Sequence, residues 1–78
     1  MPRFYLNPII GGRLARDHDG EEHPSLEAAR TSAVLGGREI LTDQLRGEEI
    51  SFQGVAIADE SGVILQVVGI SEILRGHS

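Results

Sequence analysis

At 78 residues, with no cysteine and a net charge of −5, the chain has room for one hydrophobic core and lacks thiolate catalysis, Cys-based zinc sites and iron–sulfur chemistry. A domain this small buries only ~60–65% of the surface its unfolded form exposes; with disulfides excluded, a metal or a partner chain is the supplement left to it. Twelve Asp and Glu against seven Arg and no Lys set the mean surface against phosphate backbones, and no apolar run approaches the ~20 residues of a membrane-spanning helix.

Residues 3–16 read as a β-hairpin, with Phe4, Leu6 and Pro8 alternating with Tyr5 and Asn7 before Gly11-Gly12. A two-residue Gly-Gly turn would pair Ile9 with Leu14 and put Leu14 on the Tyr5/Asn7 face. A three-residue loop, Ile10-Gly11-Gly12, pairs Pro8 with Leu14 and gathers Phe4, Leu6, Pro8 and Leu14 on one face, and is the register expected. Pro8 cannot donate a ladder hydrogen bond, so its strand should be an edge or carry a bulge there.

Residues 17–24 form a polar loop. Ser25 then reads as an N-cap, with Glu27 favouring the dipole of a helix running from Leu26 to about Arg46 and ending at Gly47. Its apolar stripe is Leu26, Ala29, Ala33, Gly37, Ile40 and Leu41, with Val34 and Leu45 at the margin and Leu35 pointing away. Gly36-Gly37 costs ~1 kcal/mol per glycine relative to Ala; either the domain tolerates the loss or another group approaches closely there.

Residues 52–68 read as a second hairpin closed by a three-residue loop, Glu60-Ser61-Gly62, pairing Ile57 with Leu65 and Val55 with Val67. Val55, Ile57, Val63, Leu65 and Val67 then make a core face. Gly54, Ala56, Ala58, Ile64, Gln66 and Val68 make the opposite one. Residues 70–74 can form a short terminal helix or turn, and Gly76-His77-Ser78 should fray. The order ββαββ implies an α+β fold in one domain over residues 1–78: an antiparallel sheet of two hairpins with one long helix on one face.

Catalytic chemistry finds no footing. Ser25 is spent as a cap, Ser61 sits in a turn, and no phosphate-cradling Gly loop opens a helix, so the expectation is a protein that is not an enzyme and needs no cofactor. Asp17, His18, Asp19, Glu21, Glu22 and His23 could offer metal ligands. Their spacing fits neither a calcium loop, whose twelfth position would be Ala28, nor a pair of histidines four apart on a helix; a solvated turn before a helix start accounts for them. Arg3, Arg13 and Arg16 fall on the first hairpin beside Tyr5 and define a nucleic-acid patch, the alternative reading, as in a regulatory or antitoxin-like module. The face of Ala56, Ala58, Ile64 and Val68, left bare by a single helix, is too apolar for solvent. It marks a candidate self-association face, and a homodimer is expected unless Ile70, Ile73 and Leu74 fold back over it.

Three segments carry a resemblance: Met1-Pro2-Arg3-Phe4-Tyr5; Asp19-Gly20-Glu21-Glu22 followed by Pro24-Ser25-Leu26-Glu27-Ala28-Ala29-Arg30; and Ile57-Ala58-Asp59-Glu60-Ser61-Gly62. In this order they resemble a family of short proteins of unknown function from rhizobia and related alphaproteobacteria. The chain departs from it at Gly36-Gly37, where such proteins tend to be Ala-rich, and at Val68-Gly69-Ile70, where they tend to have Val-Pro-Phe. The resemblance implies a bacterial, cytoplasmic, single-domain protein and transfers no catalytic residue.

Overall fold

The computed structural model describes residues 2–47 and 50–75; the expected fraying of residues 76–78 lies outside them. Chain order is β1 (Arg3–Ile10), β2 (Arg13–Leu14), β3 (Glu21–Glu22), α1 (Leu26–Arg46), β4 (Phe52–Ala58), β5 (Ile64–Gly69) and α2 (Ile70–Arg75). The sheet is antiparallel and five-stranded, in the order β2-β1-β4-β5, with β3 also pairing β1. The α+β class and the two-hairpin plan hold. β3 is an addition: within the polar loop, Glu22 and Glu21 pair with Arg3 and Phe4.

α1 begins and ends where its caps dictate. The Ser25 hydroxyl accepts the Ala28 N–H at 3.1 Å, and the Gly47 N–H donates to the Gln44 carbonyl. Its stripe of Ala29, Ala33, Val34, Gly37 and Leu41 is buried, with Leu26 and Ile40 packed at the margin. Leu35 and Leu45 are exposed. The stripe covers Phe4, Phe52, Val55, Ile57 and Val68, and Ile73 of α2 completes the core. Beyond the helix, the Gln44 side-chain oxygen accepts the N–H groups of Ser51 and Phe52 at 2.9 and 2.8 Å, fixing where β4 starts.

The two central glycines of α1 divide the two explanations between them. A Cβ at Gly37 would stand 2.7 Å from Ile73 Cδ1 and 3.3 Å from Phe52 Cζ, whereas one at Gly36 would meet nothing within 4 Å. Gly37 is the close approach that lets α2 lie against α1; Gly36 has no such duty. Gly36→Ala is expected to stabilise the domain by about 0.5–1 kcal/mol, and Gly37→Ala to give no such gain, compared as midpoints of urea unfolding.

Both hairpins depart from their expected registers, for different reasons. In the first, Ile9 pairs with Leu14 and Ile10 with Arg13 across a two-residue turn. Gly11 and Gly12 both take positive φ, 60° and 78°, the turn whose twist matches the flanking strands. Turn geometry wins over sorting Leu14 onto the Phe4 face. A bulge follows between Ile9 and Ile10, opposite Gln53, whose side-chain oxygen accepts the Gly12 N–H at 2.7 Å.

In the second hairpin the three-residue loop is as expected. The Asp59 N–H donates to the Val63 carbonyl, and the Asp59 carboxylate accepts from Ser61 and Val63. Ala58 pairs with Ile64 in the expected register, but a bulge then inserts Leu65, so that Ile57 meets Gln66 and Val55 meets Val68. Because side chains alternate along a strand, that one-residue shift exchanges the faces of everything beyond it.

Pro8 costs no ladder bond to β4. The Leu6 N–H points away from β4, toward Asp17, and the N–H missing two residues later at Pro8 would point the same way.

Candidate functional site

Two faces of the sheet have different fates. α1 and α2 both lie on one of them. Ile73 of α2 packs toward Gly37 and Phe52, the Arg38 Nε–H donates to the Ile73 carbonyl at 3.2 Å, and Arg30 pairs with Glu72. The terminal segment therefore stays in the helix layer, and neither helix lies on the other face.

That open face is assembled from four strands. Tyr5, Asn7 and Ile9 come from β1, Leu14 from β2, Ala56 and Ala58 from β4, and Ile64 and Val67 from β5, by the pairings Tyr5–Ala58–Ile64, Asn7–Ala56–Val67 and Ile9–Leu14. Ala56 and Ala58 are almost inaccessible, at 1% and 4%, because the taller side chains of the flanking strands shade them. Leu14, Ile64 and Val67 stand about half exposed around that floor, with Leu65 and Val63 beside them. A shallow depression of about 440 Å³ opens beside the turn of the second hairpin, lined by Tyr5, Ala58 and Ile64 together with Arg16, His18 and Glu60.

Of the residues expected on this face, Ala56, Ala58 and Ile64 are there and Val68 is not. Val68 is fully buried beneath α1. The Leu65 bulge exchanged it with Val67, which the sequence pattern had assigned to the core. Leu14 is the second unforeseen member, brought in by the two-residue turn.

The acidic loop is occupied in holding the hairpin. Between β2 and β3 the outer flank of β1 has no strand beside it, and Asp17 fills the gap. Its carboxylate accepts N–H groups from Leu6, Asp19 and Gly20 at 3.2, 3.3 and 3.2 Å, while its own N–H donates to the Asn7 side-chain oxygen at 2.8 Å. Glu21 accepts the Ser32 hydroxyl of α1 and contacts His23 Nε2, both at 2.8 Å. Among the described residues no three His, Asp or Glu side chains gather as metal ligands. Asp17→Ala leaves three backbone donors without their acceptor. It is expected to cost about 1–3 kcal/mol, seen as a lower urea midpoint, with Asp17→Asn milder because one acceptor oxygen remains.

The three arginines do not converge. Arg3 lies at one end of β1, donating to the Asp19 carbonyl at 2.8 Å and facing Glu22 at 3.4 Å. Arg13 lies opposite Ile10 at the other end, about 23 Å away at the rise of a β-strand, with Arg16 beside the open-face depression.

No helix among the described residues is long and apolar enough to cross a membrane. The model of a family described as a domain of unknown function, DUF6894, matches residues 3–71. No curated protein and no solved structure matches the chain.

Proposed function

The chain belongs to the DUF6894 family, domains of unknown function, so its role has to be read from its own surface, and we propose that it is a non-catalytic interaction module that associates with itself through the open sheet face. The observation that carries this reading is the apolar face that neither helix covers. Leu14, Ile64 and Val67 lie 48–50% exposed around an alanine floor, on the side of the sheet opposite both helices. Exposed apolar residues elsewhere, such as Leu35 and Leu45 on α1 and Leu74 on α2, stand apart from one another, which is ordinary; on the open face Ile64 and Val67 share one face of β5, and Leu14 stands on the same face at the far edge of the sheet.

Size and charge favour a second copy as the occupant. The molecule is a slab of 38 × 28 × 17 Å, so its broad face offers on the order of 1,000 Å², against roughly 800 Å² per partner in a standard interface. Two copies of a −5 chain repel wherever their carboxylates meet, and the centre of this face, from Tyr5 and Asn7 across Ala56 and Ala58 to Ile64 and Val67, is uncharged. The setting proposed with this reading is the bacterial cytoplasm, on the resemblance to short alphaproteobacterial proteins.

Ile64→Asp is the direct test. Ile64 is half exposed, so the substitution leaves the fold intact while setting a carboxylate on each copy within the contact. The expected result is a dimer mass for the wild type and a monomer mass for Ile64→Asp by native mass spectrometry, with unchanged far-UV circular dichroism. A wild type that stays monomeric at hundreds of micromolar, or a dimer indifferent to Ile64→Asp, refutes the reading.

A further inference from the structure

The two edges of the sheet are built differently. On the outer flank of β1 the edge is split into two strands of two residues each, carries Arg13, Glu21 and Glu22, and has the Asp17 carboxylate across the gap between them. Each of these features blunts an edge against further strands. The opposite edge is β5, which among the described residues pairs only with β4 and has none of those protections. From Ser61 to Ser71 no residue is charged and none is proline. Leu65 is 43% and Val67 50% exposed, and past the Leu65 bulge the strand runs regularly from Gln66 to Gly69.

We infer that the free edge of β5 is a second self-association contact, at which β5 of another copy adds antiparallel to it and continues the sheet. This inference is carried by the edge and is independent of the open-face contact. Strand addition satisfies the outward N–H and C=O groups of β5 without any specific side-chain recognition. A two-fold axis normal to the sheet sets the strands antiparallel, leaves both α1 helices on one side, and opposes only residues of the same face. A centre at Val67 satisfies that condition, setting Gln66 opposite Val68 of the other copy, and no charge there faces a charge. That matters for a strongly acidic chain: β5 is the one edge along which two copies meet without like-charge opposition. A second copy is preferred to a foreign peptide on this ground, because a self-pairing strand must be neutral, whereas a strand selected for a basic or acidic peptide would carry the opposite charge. The edge axis and an open-face axis lying in the sheet plane are perpendicular, and where they intersect both contacts together close into a tetramer of two-fold axes.

The test combines hydrogen exchange with native mass on the full chain. In ¹⁵N-labelled wild type at hundreds of micromolar, every amide from Gln66 to Gly69 is expected to be protected, including the alternate ones that β4 does not bond. Gln66→Lys sets two ammonium groups diagonal to each other from the helix side of the strand, away from the open face. It is expected to halve the assembly mass and remove protection from those alternate amides alone. Leu14→Asp, on β2 and far from β5, breaks the open-face contact and should leave the β5 protection in place. Alternate β5 amides that exchange at free-peptide rates in the wild type overturn the edge contact whatever the mass. So does a folded Gln66→Lys of unchanged mass, and a β5 protected only when an unrelated peptide is added. Loss of assembly in Leu14→Asp alone leaves the open-face reading standing and removes this one; loss in Gln66→Lys alone does the reverse. Should Gln66→Lys fail to fold, Leu65→Lys, at a more exposed position of the same strand, takes its place, and the wild-type exchange pattern decides without any variant.

Discussion

Gly54→Ala is expected to remove a large share of the stability of the domain, lowering its urea midpoint far more than any other Gly→Ala change in the chain. Gly54 sits in the central strand β4 just past the Gln53 bulge, at φ 155°, and faces Gly69 across β5. A Cβ there would lie 2.5 Å from the Val68 carbonyl oxygen and 3.3 Å from the Gly69 Cα. The obstacle is backbone on both counts, so no rotamer change relieves it; β4 and β5 would have to part. Backbone strain of this kind costs about 1–3 kcal/mol, and separating the ladder adds to it, for a total of roughly 3–5 kcal/mol. A domain of this size has on the order of 4–12 kcal/mol to lose. Its pairing partner supplies the control. A Cβ at Gly69 meets nothing within 4 Å, so Gly69→Ala is expected to change stability by less than about 1 kcal/mol. Equal midpoints for the two variants would mean that β4 and β5 do not approach at this point.

The helix was the most legible element because its signals are local and agree with one another. Ser25, the stripe from Leu26 to Leu41 and Gly47 each speak for the same boundaries, and the structure keeps them to the residue. The two-hairpin plan and the α+β class were legible from alternation and from glycine-bearing turns. Pairing across the sheet was less so. The first hairpin turned on a contest between sorting Leu14 inward and the twist of a Gly-Gly turn with two positive φ angles, and turn geometry prevailed because the open face accepts Leu14. The second hairpin turned on Leu65. Its loop was read correctly, yet nothing at Leu65, neither a glycine nor a polar residue, marks it as the extra residue of a bulge.

The candidate site inherits these outcomes. Ala56, Ala58 and Ile64 were placed correctly because they lie on β4 or before the bulge, and Val68 was not because it lies after it. The role of Asp17 was legible only as a turn-former. Its bonds to Leu6 and Asn7 span ten residues or more and depend on the gap between β2 and β3, which no local pattern announces. Gly37 could be singled out as a place of close approach, but its neighbour Ile73 lies thirty-six residues on, and only the packed structure joins them.

Val68→Asp, set beside Val67→Asp, turns the Leu65 bulge into a measurement. In the structure Val68 is fully buried against the α1 stripe and Val67 is half exposed on the opposite face. A carboxylate at position 68 would enter a core whose lining is aliphatic and aromatic, with no cation in the cluster to pair with it. Burying an unpaired charge costs several kcal/mol even after relaxation, and the lost valine packing adds about 1–3 kcal/mol. The sum is comparable to the entire stability of a 78-residue domain, so Val68→Asp is expected to be unfolded at 25 °C by circular dichroism. Val67→Asp keeps its carboxylate in water. It is expected to fold, with a loss of less than about 1.5 kcal/mol, and to come off the open-face contact as a smaller species. An unbulged hairpin predicts the reverse in every particular: Val67 would then be the core residue and Val68 the exposed one. A folded Val68→Asp with an unfolded Val67→Asp would therefore remove the bulge, return Val68 to the open face, and move the self-association surface with it.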